Sequence, residues 1–261
     1  MKKTNENVAL VIGAGSGMGR IHARREASRG LRVAIADRNL EGLRQTQEGH
    51  PEMRLIECDV TNASDVASMI REVEESLGPI DRMIYTAGIM PTALIQDASP
   101  EEVSRVMRVN YDGVVQVIAN VLPSMLKRGR GKLIVYGSVA GYALTPHLAA
   151  YCASKAAVNA YLEILSEELK GTGVDVHLIC PPMVNTPLID QARNTSNPKS
   201  IQQAARENLL ADPEAVVDAV EKGIERGKAL VLPLAMAKAL YHGRRLAPRL
   251  MWKVIRRSEE M

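Results

Sequence analysis

Short apolar, β-branched runs recur along the chain at 8–12, 32–36, 54–58, 82–85, 132–136, 175–179 and 229–232. Between them, the stretches 17–29, 40–49, 63–77, 100–127, 151–170 and 213–226 carry helical patterning. Seven strands alternating with helices predict a parallel, doubly wound α/β sheet, contained in one domain over residues 1–232. One stretch breaks the rhythm. Residues 183–212 carry Asn185-Thr186-Pro187 and Asn194-Thr195-Ser196-Asn197-Pro198, which predicts a long, polar, mobile excursion of the kind that acts as a lid. Beyond 232, residues 233–261 mix Leu240, Leu246, Leu250, Met251, Trp252, Val254 and Ile255 with cations, a basic amphipathic extension that Pro248 interrupts.

The first strand runs directly into Gly13-Ala14-Gly15-Ser16-Gly17-Met18-Gly19, after which a helix continues. Glycines between a strand and a helix N-terminus let the backbone approach a pyrophosphate, whose charge is favoured by the free amides and the helix dipole. The spacing is Gly-x-x-x-Gly-x-Gly, and Met18 stands where the common dinucleotide fingerprint has its third glycine. The second strand ends near Asp37, twenty residues beyond Gly17. A carboxylate there accepts hydrogen bonds from an adenosine ribose 2′-hydroxyl and repels a 2′-phosphate, which favours NAD over NADP. Arg38 pulls the other way, because a guanidinium attracts that phosphate. Asn39 can cap the following helix and so leaves Asp37 for the ribose. Asp59, with Val60 after it, ends the third strand; it serves either an adenine edge or the turn before Thr61.

The reacting groups lie further on. Tyr151 and Lys155 are four residues apart on a predicted helix, hence on one face, with Ser138 thirteen residues upstream of the tyrosine. Of the seven tyrosines only Tyr151 has lysine four residues later.

With these pieces in order, the chain resembles the short-chain dehydrogenase/reductase family from Val8 to about Leu232, and within it is similar to NAD-dependent hydroxysteroid and alcohol dehydrogenases. Gly13, Gly17 and Gly19 match that family's cofactor turn, and Ser138, Tyr151 and Lys155 its catalytic residues. Asn110, in Val109-Asn110-Tyr111-Asp112-Gly113, matches its helix asparagine, and Pro181 and Thr186 the segment that covers a nicotinamide. The resemblance implies a Rossmann fold, a homodimer or homotetramer, and a dinucleotide held by Gly13, Ser16, Gly17, Met18, Gly19, Asp37, Arg38, Asp59, Val60, Ala87, Gly88, Tyr151, Lys155, Pro181, Val184 and Thr186. Three positions depart from it: Ile12 replaces threonine, Tyr85-Thr86-Ala87-Gly88 replaces Asn-Asn-Ala-Gly, and Pro182 replaces the glycine of a Pro-Gly pair.

Hydride transfer to or from a carbinol carbon needs a partner proton transfer at the oxygen, and Tyr151 is the group to provide it. Lowering a phenol by ~3 pKa units takes roughly 4 kcal/mol. Lys155 and a positive nicotinamide ring are the expected sources. Ser138 would donate to the substrate oxygen. Asn110 would hold a water linking Lys155 to solvent. A dinucleotide-binding redox sensor without turnover is the alternative from a different class, but such a module has little reason to keep Ser138, Tyr151 and Lys155 together.

Other classes fit less well. Neither Ser16 nor Ser138 lies in Gly-x-Ser-x-Gly, and the five histidines, His147 between Ser138 and Tyr151 among them, show no ligand spacing, so no metal is expected. Cys58, Cys152 and Cys180 form no Cys-x-x-Cys pair, which suits a reducing cytoplasm. The net charge is +3, yet seven cations and no acid lie between Lys238 and Arg257, so the rest of the chain carries −4. An acidic body argues against nucleic-acid binding. The basic tail suits either an anionic membrane surface or packing on the domain or a partner subunit. Apolar side chains at Ile89, Met90, Leu94, Ile95, Val139, Leu144, Leu148, Met183, Val184, Leu188 and Ile189 predict a hydrophobic small-molecule substrate, a secondary alcohol or ketone such as a hydroxysteroid.

Overall fold

The computed structural model describes residues 7–260. In chain order the elements are β1 (Val8–Ile12), α1 (Gly17–Ser28), β2 (Arg32–Asp37), α2 (Leu40–Gln47), β3 (Arg54–Glu57), α3 (Ala63–Ser76), β4 (Arg82–Tyr85), α4 (Pro100–Met107), α5 (Gly113–Arg128), β5 (Gly131–Tyr136), α6 (Ala149–Glu168), β6 (Val174–Ile179), α7 (Pro187–Arg193), α8 (Lys199–Arg206), α9 (Pro213–Glu225), β7 (Leu230–Val231), α10 (Leu234–Leu246) and α11 (Pro248–Glu260). The seven strands form one parallel sheet in the order β3-β2-β1-β4-β5-β6-β7. All five residues of β1 are buried, as expected of a parallel strand covered on both faces.

The described residues sort into two compact units, the first comprising 7–87, 112–135 and 164–177 and the second 88–111, 136–163 and 178–260. In the first, β1 pairs with β2 on one side and β4 on the other. The chain order therefore reverses at β1, and the ends of β1 and β4 flank the switch point where open α/β sheets take their ligands. Buried ion pairs brace this unit behind the sheet, with Arg82 on Glu26 at 3.0 Å and Arg128 on Asp81 at 2.8 Å. The second unit gathers Met90, Leu148, Tyr151, Cys152, Ile189, Ala192 and Ile201 into one apolar cluster.

Two predicted elements differ from what folds. The single helix expected over 100–127 is α4 and α5 joined by a π-helical turn at Arg108–Asp112, which buries Asn110. One extra residue per turn rotates the following helix and turns a polar side chain inward. The excursion at 183–212 carries the two helices α7 and α8. Their buried Ile189, Ala192, Ile201 and Ala204 supply an apolar face that the asparagine and proline clusters conceal in the sequence. Pro248 stands at the start of α11, where its missing N–H costs nothing, so the tail is two helices. No described helix is long and apolar enough to cross a membrane.

Candidate active site

In the first unit, the glycine turn is built around close backbone approach. Gly13 has φ +80°, and a Cβ on it would lie 2.4 Å from the Ala87 amide nitrogen. A Cβ on Gly19 would sit 2.2 Å from the Gly13 carbonyl oxygen. The Thr86 hydroxyl lies 2.9 Å from the Ile12 carbonyl and 3.1 Å from that of Gly13, so it ties the end of β4 to the turn. Thus the departure at Tyr85-Thr86 brings its own support for the loop. Ser16 makes no side-chain bond to the leading amides of α1, and no acidic residue occupies the helix's first turn. Those amides and the positive end of the helix dipole suit a pyrophosphate.

Asp37 is held from two sides. Its Oδ2 accepts from the Gly15 amide at 3.0 Å and its Oδ1 from the Asn39 amide at 2.9 Å. Asn39 caps α2 through the Gly42 amide. The carboxylate is therefore oriented at the rim of the turn, half-buried, beside an exposed Arg38. Arg20 and Thr46 brace the turn from below, with Arg20 Nε donating to Thr46 Oγ1 at 3.0 Å and Thr46 Oγ1 donating to the Ala14 carbonyl at 2.7 Å. Asp59 accepts from the amide and the hydroxyl of Thr61, so its carboxylate serves the turn. The described residues fit a dinucleotide: a cradle that any Cβ would fill, a set of free amides and a fixed carboxylate.

In the second unit, Ser138, Tyr151, Lys155 and Asn110 come together, all buried. The Ser138 hydroxyl bonds the Tyr151 phenol and accepts from the Ala140 amide at 3.0 Å. Lys155 Nζ donates to the Tyr136 carbonyl at 2.7 Å and lies 5.9 Å from the centre of the Tyr151 ring. Burial lowers the Lys155 ammonium to about 8, with the Cys180 thiol opposing weakly. Burial pushes the Tyr151 phenol well above its ordinary value, and the Ser138 bond offsets only part of that. The chain's own field thus favours the neutral phenol, opposite to the direction that proton abstraction requires.

Asn110 makes three side-chain hydrogen bonds to the protein. Its Oδ1 accepts from the Ile89 amide at 2.8 Å, and its Nδ2 donates to the Ile89 carbonyl at 3.0 Å and to Ser154 Oγ at 2.9 Å. Ser154 in turn donates to the Tyr151 carbonyl at 2.8 Å. The side chain braces the loop after β4 against α6. Asn159, two turns beyond Tyr151, donates to the Ser138 carbonyl at 3.0 Å. The sequence marks Ser154 and Asn159 only by their helical spacing from Tyr151 and Lys155.

Gly88 approaches the same group, since a Cβ on it would lie 3.3 Å from Asn110 Oδ1 and 3.8 Å from Lys155 Nζ. Pro181 accepts from the Val139 amide, Val184 is buried and bridges to Ala211, and Thr186 opens α7. Pro182 is buried as well, where the resembled family has glycine. Around the phenol, the apolar cluster is completed by half-buried Leu144, Met183 and Leu188.

These features agree with what is known of similar proteins. The family model for short chain dehydrogenases matches residues 7–197. An uncharacterized oxidoreductase of Staphylococcus epidermidis is 34% identical over 191 residues, which is 73% of this chain and 83% of that protein. Two solved structures are 26% identical: a short chain dehydrogenase/reductase of Burkholderia phymatum in complex with NAD (TM-score 0.83, covering 96% of each chain), and a short chain dehydrogenase of Burkholderia cenocepacia in complex with NADP (TM-score 0.80, covering 96% of this chain and 97% of that one). A glycine cradle at the switch point of a parallel sheet, a buried Ser-Tyr-Lys set and these likenesses together place the chain in the short-chain dehydrogenase family of oxidoreductases, whose cofactor is a nicotinamide dinucleotide.

Proposed function

We propose that the protein transfers a hydride between NAD(H) and a hydrophobic secondary alcohol or ketone, a hydroxysteroid or similar alicyclic compound being the favoured substrate. The observation that carries the substrate class is the wall around Tyr151, built from Met90, Leu148, Cys152, Ile189, Ala192 and Ile201. Asp37, fixed by Gly15 and Asn39, supports NAD over NADP.

In the oxidative direction Tyr151 accepts the carbinol proton while the carbon loses its hydride. The nicotinamide supplies the two-electron acceptor and a positive charge. Ser138 donates to the substrate oxygen and steadies the charge that develops on it. Lys155 stabilises the phenolate. Because burial alone raises the phenol, the reactive form of Tyr151 depends on positive charge brought by the cofactor, which links binding to readiness.

Three free thiols, all buried, support a cytoplasmic site of action. Membership of the short-chain dehydrogenase family is what supports a homodimer or homotetramer.

The test is absorbance at 340 nm with NAD or NADP and a panel of hydroxysteroids, alicyclic alcohols and short hydroxy acids, repeated in reverse with ketones. Reduction of NAD by apolar alcohols that drops by ~10²–10⁴ in Tyr151→Phe is expected. Preference for short charged hydroxy acids would overturn the substrate class, and cofactor binding without turnover in either direction would overturn the reaction.

A further inference from the structure

The outer surface of the C-terminal helices has no role in the chemistry above, yet its composition is unusual for solvent. Helix α11 turns Met251, Trp252, Ile255, Ser258 and Glu259 inward, each half-buried. Its opposite side holds Arg249, Lys253, Arg256 and Arg257, all exposed, beside Leu250 at 60% and Val254 at 54% exposure. Leu246, at the end of α10, is 84% exposed. Leu250 and Val254 are one helical turn apart and so form a continuous ridge. Among the described residues none of the four cations has an ion-pair partner on this face, although the body of the chain is acidic.

Apolar ridge and unpaired cations on one helix face are complementary to one kind of surface. We propose that α11 docks on an anionic phospholipid bilayer, with Leu246, Leu250 and Val254 entering the headgroup region and Arg249, Lys253, Arg256 and Arg257 meeting lipid phosphates. A second copy of the chain is the weaker fit, because isologous pairing would set the same four cations against themselves.

The inner side of the helix gives the docking a consequence. Helix α11 packs on α8, where Glu259 Oε2 accepts from the Lys199 amide at 3.1 Å. Helix α8 in turn contributes Ile201 to the apolar wall around Tyr151. Helix α10 reaches the turn that begins at Ser138: its buried Tyr241 packs edge-on against Tyr142, which ends that turn. A bilayer holding the tail would therefore bear on α8 and on the turn that begins at Ser138, and would present a membrane-dissolved substrate beside them. This link to substrate rests on the apolar-substrate reading; the docking does not.

Co-flotation of the full chain with vesicles, without substrate, tests it. Vesicles of phosphatidylcholine alone are compared with vesicles containing phosphatidylglycerol. Binding is expected only to the anionic vesicles and should weaken as salt shortens the Debye length from about 10 Å at 0.1 M to about 3 Å at 1 M. Lys253→Gln with Arg257→Gln should lower the partition coefficient roughly thirtyfold. Both changes lie on an exposed face, and NAD binding by the variant reports its fold. Absence of flotation, or flotation indifferent to lipid charge and salt, overturns the proposal. So does a dimer that dissociates in Leu250→Ser with Val254→Ser while vesicles remain unbound. Flotation with activity confined to polar alcohols would leave the docking standing and remove the substrate reading.

Discussion

The Asn110 amide donates to the Ser154 hydroxyl across 2.9 Å, and through it the π-helical turn between α4 and α5 reaches the carbonyl of Tyr151. Two of the three side-chain bonds of Asn110 go to Ile89, one residue past Gly88. The asparagine thus sets the distance between the loop after β4 and the helix that carries the reacting pair.

Asn110→Ala should cost stability and rate together. It leaves the buried Ile89 amide and carbonyl without partners, worth about 1–3 kcal/mol for each unsatisfied group. Urea denaturation should show that loss. Ser154→Ala, which leaves Ile89 served, should lower kcat with a smaller stability change. Equal stability losses in the two variants would contradict the bracing role.

Lys155→Met separates function from stability. The ammonium is held at about 8, below its ordinary value, because burial disfavours the charge. The sign follows: between about 8 and the unfolded value the unfolded chain binds a proton that the folded chain does not, so stability rises with pH across that window, and below it the full cost of the buried charge is present. At neutral pH the variant should lose turnover and raise the melting temperature of the free protein, by about 2–4 °C per kcal/mol relieved. A melting temperature that falls would show that the Tyr136 carbonyl bond outweighs desolvation.

Asp37→Ala removes the acceptor of the Gly15 and Asn39 amides and, on the proposed function, of the ribose hydroxyl. Hydrogen bonds to a charged group are worth about 1.5–3 kcal/mol, so kcat/KM with NAD should fall roughly ten- to hundredfold. With NADP it should fall less or rise, since the repulsion is gone while Arg38 remains. Parallel losses for both cofactors would assign Asp37 to the turn alone.

His22 should make stability depend on pH in acid. Its imidazole is fully buried and pushed down to about 3 by burial first, then by Arg82, Arg25 and Arg29. Between the ordinary imidazole value and about 3 the unfolded chain takes up a proton that the folded chain refuses. Stability is therefore complete above that window and is lost as pH falls through it, by up to ~1.4 kcal/mol per pH unit. His22→Gln should flatten the dependence of unfolding free energy on pH over this range. An unchanged slope would exclude His22 as its source.

The fold was legible in the sequence because a parallel sheet writes itself in local terms: a buried strand is a short apolar run, and a glycine turn is required wherever backbone meets backbone, as at Gly13 and Gly19. Tyr151 and Lys155 were legible for the same reason, since helical spacing alone puts them on one face. The Asn39 cap, which leaves Asp37 available, could also be read from adjacent residues.

What remained depends on contacts between residues far apart in the chain. The π turn at Arg108–Asp112 leaves no mark in periodicity, because one extra residue is absorbed within a pattern that stays apolar on both sides, and with it went the partners of Asn110. The helices at 187–193 and 199–206 hide behind asparagine and proline, and only packing against Tyr151 and Leu148 shows why their few apolar residues suffice. The direction of the Tyr151 shift is likewise a tertiary result: residue type puts a lysine near a phenol, but burial decides which form of the phenol the chain prefers. Sequence determined the strands, the turn and the reacting groups, whose causes are local; tertiary structure alone decided which side chains brace them and what the surrounding medium does to their charge.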